Sequence, residues 1–144
     1  MKIREAVAGD EEEMGLLLAD MGYPASALQL KERLEPIMNN SSYLTLVTEE
    51  NGSLVSMLGM HFERSYVSDI VVARIITMVT ASDYRQRGIG RNMLNEAEKR
   101  AVKEGTTLVV LNSGNRDERK AAHRFYEGCG FEAKSTGFYK AIGE

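Results

Sequence analysis

Tyr84-Arg85-Gln86-Arg87-Gly88-Ile89-Gly90-Arg91 is the stretch on which the fold turns. A run rich in β-branched residues, Val71 to Thr80, leads into it, and an amphipathic pattern, Met93 to Val102, follows. The spacing predicts a strand feeding a glycine-bearing loop that opens a helix. The first turn of a helix carries N–H groups without intrahelical acceptors, together with the positive end of the macrodipole. Gly88 and Gly90 let a ligand come close to that backbone. Arg85, Arg87 and Arg91 add positive charge with no acid among them, so the expected ligand is a pyrophosphate.

Upstream of the loop, Lys2 to Val7 alternates as a strand does. Asp10 with Glu13 marks a helix start, and Met14, Leu17, Leu18 and Met21 form its apolar face. Gly22-Tyr23-Pro24 ends that helix. Ser26 can cap a second one, faced by Ala27, Leu30, Leu34 and Ile37, which Pro36 should kink or stop early. Tyr43 to Thr48 and Leu54 to Phe62 read as a hairpin turning at Asn51-Gly52. Ile70 to Thr80 is a long strand, apolar enough to lie centrally.

Downstream, Leu94, Ala97 and Ala101 face inward and Gly105 closes the helix. Leu108 to Leu111 reads as a buried strand, and Asn112 to Asp117 as a polar loop. Ala121, Ala122, Phe125 and Cys129 share a helix face, and Gly130-Phe131 and Gly137 to Ile142 are expected as short closing strands. The predicted order is β-α-α-β-β-β-α-β-α-β-β.

A chain of 144 residues with 43% hydrophobic and 27% charged residues is expected to be one globular domain, residues 1–144. The net charge of −3 argues against a general nucleic-acid binder. The single cysteine, Cys129, cannot form an internal disulfide, which fits the reducing cytoplasm. It reads as apolar filler rather than a nucleophile. The start lacks the apolar stretch of a signal peptide, and no apolar run is long enough to span a membrane. No Cys/His cluster has metal-ligand spacing, so no metal is expected.

Two segments together resemble the GNAT superfamily of acetyl-CoA-dependent N-acetyltransferases: Arg85-x-x-Gly88-x-Gly90, and Ala122-His123-Arg124-Phe125-Tyr126-Glu127-x-x-Gly130-Phe131. The element order is similar as well. The C-terminal two thirds is similar to small-molecule acetyltransferases of the aminoalkylphosphonate and aminoglycoside kind. The resemblance implies an α/β fold with a mixed, mostly antiparallel sheet of six or seven strands and helices on both faces. It implies transfer of acetyl from acetyl-CoA to a primary amine, with a small-molecule acceptor favoured and a peptide or protein amine as the alternative. Homodimers are common in the family it resembles, and the closing strands could pair across one.

By the same resemblance, Gln86, Arg87, Gly88, Ile89, Gly90 and Arg91 hold the pyrophosphate, and Arg85 adds charge nearby. Met78, Val79 and Thr80 line the pantetheine arm through their backbone, which requires the strands at 70–80 and 107–111 to splay. A backbone N–H of Val79 or Thr80 serves the oxyanion. Asn115, Arg119 and Phe125 fall at cofactor-contacting positions, and Tyr126 falls where the family places the acid that protonates the thiolate. His123 reads as structural. Thr77 occupies the place of the family's usual glutamate base, so the proton leaves through water or through another group. His61 and Glu63, two apart and on one strand face, are the candidates, with Asp69 behind them. The acceptor groove is expected among residues 20–35, the loop at 64–69 and the final strands, with Tyr23, Tyr66 and Tyr139 as lining. The missing glutamate leaves room for a rival, a non-catalytic acyl-CoA sensor. A nucleotide-binding domain is a further rival, although the loop lacks the Gly-Lys-Ser/Thr ending of a P-loop.

Overall fold

The computed structural model describes residues 1–114 and 117–143. The chain divides into two compact units, Met1–Leu111 and Asn112–Glu144.

In the first unit five strands form one sheet in chain order: β1 (Lys2–Glu5), β2 (Tyr43–Glu50), β3 (Ser53–Arg64), β4 (Val71–Thr80) and β5 (Leu108–Leu111). β1 to β4 pair antiparallel and β5 joins β4 in parallel. A parallel step needs a crossover, which α3 (Ile89–Lys103) provides. Two further helices, α1 (Glu11–Asp20) and α2 (Ala27–Met38), lie between β1 and β2 in the chain.

Local chemistry explains most of these boundaries. Ser26 and Gln29 form a reciprocal capping box at the start of α2. Asn51 and Gly52 adopt φ of 53° and 80°, the left-handed pair that a tight hairpin turn needs. Gly15 lets α1 and α2 approach closely, since a Cβ there would sit 3.2 Å from Leu30 Cδ2. Pro36 does not stop α2. It falls so near the helix end that little ladder is lost, and Asn39 N–H still reaches Glu35 C=O at 3.1 Å.

The sheet buries both faces. Val47, Met57 and Val79 pack with Met14 and Leu17 of α1 and Leu30 and Leu34 of α2. Their strand neighbours Leu46, Leu58, Met60, Ala73 and Ile75 are also buried but lie outside that cluster. Alternation puts them on the opposite face, where α3 contacts β2, β3 and β4 and buries Met93, Leu94, Ala97 and Ala101. β4 changes phase midway. Met60 pairs with Ile75 and Gly59 with Thr77, so Ile76 is an extra, bulged residue, 56% exposed. Ile75 and Val79 therefore face opposite sides although both are odd-numbered.

Three expectations are corrected. Among the described residues the sheet has five strands, not six or seven: residues 129–143 form neither strand nor helix. Phe138 and Tyr139 are adjacent, so in a strand they would point to opposite faces, and both are exposed with Ile142. The run offers no single apolar face to bury. β5 is an edge strand among the described residues, with Leu108 47% exposed, whereas β4 is interior, paired with β3 and β5. Asp10 stands at the N-cap of α1 without capping it. Its carboxylate takes two hydrogen bonds from Arg4, at 2.8 and 3.0 Å, and one from Val7 N–H at 2.8 Å.

The second unit contains a 3-10 turn (Asp117–Arg119) and α4 (Lys120–Gly128). No helix among the described residues is long and apolar enough to cross a membrane.

Candidate functional site

β4 ends at Thr80, a 3-10 turn follows over Ser82–Tyr84, and α3 begins at Ile89. Two left-handed residues shape the loop, Gln86 with φ of 63° and Gly88 with φ of 81°. Gly88 is the N-cap of α3, and no atom lies within 4 Å of where its Cβ would stand, so the backbone is open to close approach. The first intrahelical bond runs from Asn92 N–H to Gly88 C=O at 3.0 Å. The amides of Ile89 and Gly90 thus precede the helix ladder. No side chain caps this end, and its first turn holds Arg91 and no acid.

Arg85 and Arg87 have structural partners. Arg85 Nε donates to Thr80 C=O at 3.1 Å, and its guanidinium lies 3.6 Å from Asp20. Asp20 also accepts from Ser82 N–H and Oγ. These bonds tie the last residue of α1 to the exit of β4. Arg87 sits over the Tyr84 ring, 4.9 Å from its centroid.

The strand ahead of the loop has an open side. β5 pairs only with Val72 to Ile75, so Ile76 to Thr80 continue beyond it. Backbone direction along this stretch is fixed by its neighbours. Val79 C=O accepts from Ser56 Oγ at 3.0 Å, and Ala81 N–H donates to Val55 C=O at 2.9 Å. Both residues thus turn their polar groups toward β3. Met78 and Thr80, being alternate, turn theirs the other way.

On the α1/α2 face of the sheet, register brings a polar row together. Tyr43 pairs with His61 and His61 with Arg74. The Tyr43 and His61 rings are 4.5 Å apart. Glu63 Oε1 accepts from Arg74 Nε at 2.9 Å and lies 3.6 Å from His61 Nδ1. The Arg74 hydrogen bond is the main influence holding the Glu63 carboxyl below its ordinary range, against an opposing desolvation penalty. Tyr43 and Arg74 were not singled out from the sequence. Arg74 left a signal all the same, as the only charged residue between Val71 and Thr80.

In the second unit, Tyr126 and Phe131 are joined by a helix cap. Gly130 has φ of 95°, Phe131 N–H reaches Tyr126 C=O at 3.0 Å, and the two rings meet edge-on at 6.0 Å. This is the Schellman arrangement with its apolar contact, and it gives the Tyr-x-x-x-Gly-Phe spacing a mechanical meaning. Burial pushes the Tyr126 phenol up, with Arg119 pulling against it through charge and a hydrogen bond. Phe125 packs edge-on to Tyr126 at 5.5 Å. His123 Nε2–H donates to Gly114 C=O at 2.7 Å, a loop-holding role. Asn115 lies outside the described residues. Tyr23, Tyr66 and Tyr139 are all exposed, as is Asp69.

The profile of the Acetyltransferase (GNAT) family matches residues 12–131. The uncharacterized N-acetyltransferase YhdJ of Bacillus subtilis (strain 168) is 32% identical over 112 residues, 77% of each chain. The crystal structure of a GNAT family acetyltransferase from Staphylococcus aureus subsp. aureus USA300_TCH1516 superposes with a TM-score of 0.85 at 26% identity, covering 98% of both chains. An aminoglycoside antibiotic 6'-N-acetyltransferase from Acinetobacter haemolyticus shares the fold, with a TM-score of 0.84 at 15% identity, over 100% of this chain and 99% of that one. The chain belongs to the GNAT acetyltransferase family.

Proposed function

We propose that this protein, as one catalytic domain over residues 1–144, transfers the acetyl group of acetyl-CoA to a primary amine of a small molecule in the cytoplasm. The observation that carries the reading is the start of α3. Its N-cap is a left-handed glycine, its first turn is free of acids, and open space lies beside the backbone. A diphosphate matches that donor set. The open side of β4 matches the amides of a pantetheine arm, which would add to the strand as a peptide adds to a sheet edge.

Acetyl-CoA, when bound, supplies an acetyl group already activated as a thioester. The chain's own residues supply the rest. Amides from Gln86 to Arg91 hold the diphosphate, with Arg87 and Arg91 adding charge. Met78 and Thr80 present their backbone groups outward, while Val79 serves as wall. Of the two candidates for stabilising negative charge on the carbonyl oxygen, Thr80 N–H has the orientation for it, because Val79 faces β3. Tyr126 acts as the acid that protonates the departing sulfur. Its raised pKa keeps the phenol protonated through neutral pH. Likeness in fold to the aminoglycoside enzyme supports a small-molecule acceptor.

Calorimetric titration with CoA, ATP and NAD separates this reading from that of a general nucleotide binder: only CoA should bind. A panel of amines with acetyl-CoA, read by free-thiol release, then tests transfer. CoA binding without transfer to any amine would identify a sensor instead. Tyr126→Phe should lower turnover about 100-fold while leaving CoA affinity within about twofold. Unchanged turnover removes Tyr126 from the acid role.

A further inference from the structure

Resting on the acetyl-transfer reading, one question is where the amine's proton goes, since the Thr77 hydroxyl on β4 is no base at neutral pH. The row beside Thr77 answers it. Gly59 pairs with Thr77, and His61 is the next β3 residue on the same face, about 7 Å along the strand. The groups around the His61 ring come from three strands: Tyr43 on β2, Glu63 on β3 and Arg74 on β4. Tyr43 contributes a ring contact, and Glu63 faces Nδ1.

We propose that His61 Nε2 is the proton acceptor for the incoming amine, that Glu63 is the positioning residue fixing the ring through Nδ1, and that Arg74 holds Glu63 in place. A carboxylate hydrogen-bonded to a guanidinium is a poor base, because accepting a proton would break that bond. It is a good orienter, since a carboxylate beside Nδ1 favours the tautomer with Nδ1–H and a free lone pair on Nε2. The two candidates on β3 therefore divide the work: one takes the proton and the other aims it. In the reaction, His61 removes one proton from the ammonium so that its nitrogen can form the N–C bond. As the C–S bond breaks, the sulfur takes up one proton, the acylated nitrogen gives one up to solvent, and His61 returns its own to solvent.

The chain has two histidines, so ring nitrogens can be followed by NMR in the full-length protein, with His123→Gln assigning the signals. Neutral His61 should carry its proton on Nδ1. Glu63→Gln should abolish that tautomer preference and Arg74→Met should weaken it, because the carboxylate facing Nδ1 is removed in one and released in the other. An Nε2–H tautomer in the wild type, or a preference unchanged in Glu63→Gln, overturns the dyad. With acetyl-CoA and whichever primary amine is turned over from a panel of a polyamine, an aminoglycoside, an amino acid amide and a peptide, His61→Gln should erase the acidic limb of kcat/KM. Glu63→Gln should keep that limb while lowering kcat. An acidic limb that survives in His61→Gln overturns the base assignment. If no amine reacts while the tautomer responds as stated, the acetyl-transfer reading fails and takes the base role with it, and only the orientation of the ring by Glu63 stands.

Discussion

Helix α1 starts with Asp10 followed by Glu11, Glu12 and Glu13, whereas α3 starts with Gly88 and carries Arg91 and no acid in its first turn. Both ends project the same positive potential from their unpaired amides. In α1 the chain answers that potential itself. Glu11 accepts from Gly9 N–H at 2.8 Å, and Asp10 is locked to Arg4 and Val7. In α3 the potential is left standing and reinforced by arginines. Two helices on one sheet thus show what a structural start and a binding start look like. The first is lined by carboxylates that the preceding chain holds in place, and the second is held open by a left-handed glycine.

The most severe way to break this contrast is to give α3 the acid that α1 already has. Gly88→Asp keeps a residue type that tolerates the left-handed region. It should weaken CoA binding about 100-fold, near 3 kcal/mol, by placing a like charge where the diphosphate goes. Calorimetry reads the loss, and unaltered affinity would refute the cradle. Next in size, Asp10→Asn should cost about 2 kcal/mol of folding stability and leave CoA affinity unchanged, because it strips charged hydrogen bonds from a structural helix start. The Asp10 carboxyl is held below its ordinary range chiefly by the Arg4 hydrogen bonds. Its contribution is therefore complete above the unfolded value of about 4 and fades as pH falls through the lower folded value. Denaturation curves of wild type and variant should converge in acid, and a gap that persists there would contradict the assignment. The smallest effect is expected from Glu11→Ala, a loss of about 0.5 kcal/mol that added salt should diminish. A larger, salt-independent loss would mean that packing rather than charge matters at that end.

What could be read from the residues alone was chemistry that acts over a few positions. The Ser26 cap, the Asn51-Gly52 turn and the loop from Arg85 to Arg91 each carry their own geometry, and each forms where the sequence puts it. The Gly130-Phe131 pair was legible as a motif but not as a mechanism: it is the end of a helix and not a strand. What stayed hidden depends on register between distant segments. Nothing near Asp10 says that Arg4, across a turn, will take its carboxylate from the capping role. Nothing near Glu63 says that Arg74 will stand diagonally opposite, because that requires knowing where β3 and β4 slip past one another. The closing strands were overread because isolated apolar residues in 131–142 suggested alternation that their actual spacing does not deliver.

Ile76 has a consequence of its own. The extra residue works like a reading-frame change in the middle of β4. Side chains before it obey one parity and those after it the opposite one. Were it paired in the ladder instead of bulging, residues 77–80 would each be transposed by one place, sending Val79 out of the cluster it shares with Met57 and Met14 and swapping which carbonyls and amides of that stretch face β3. A length change that breaks this phase is therefore far costlier between Thr77 and Thr80 than in the Ser65–Asp69 hairpin tip.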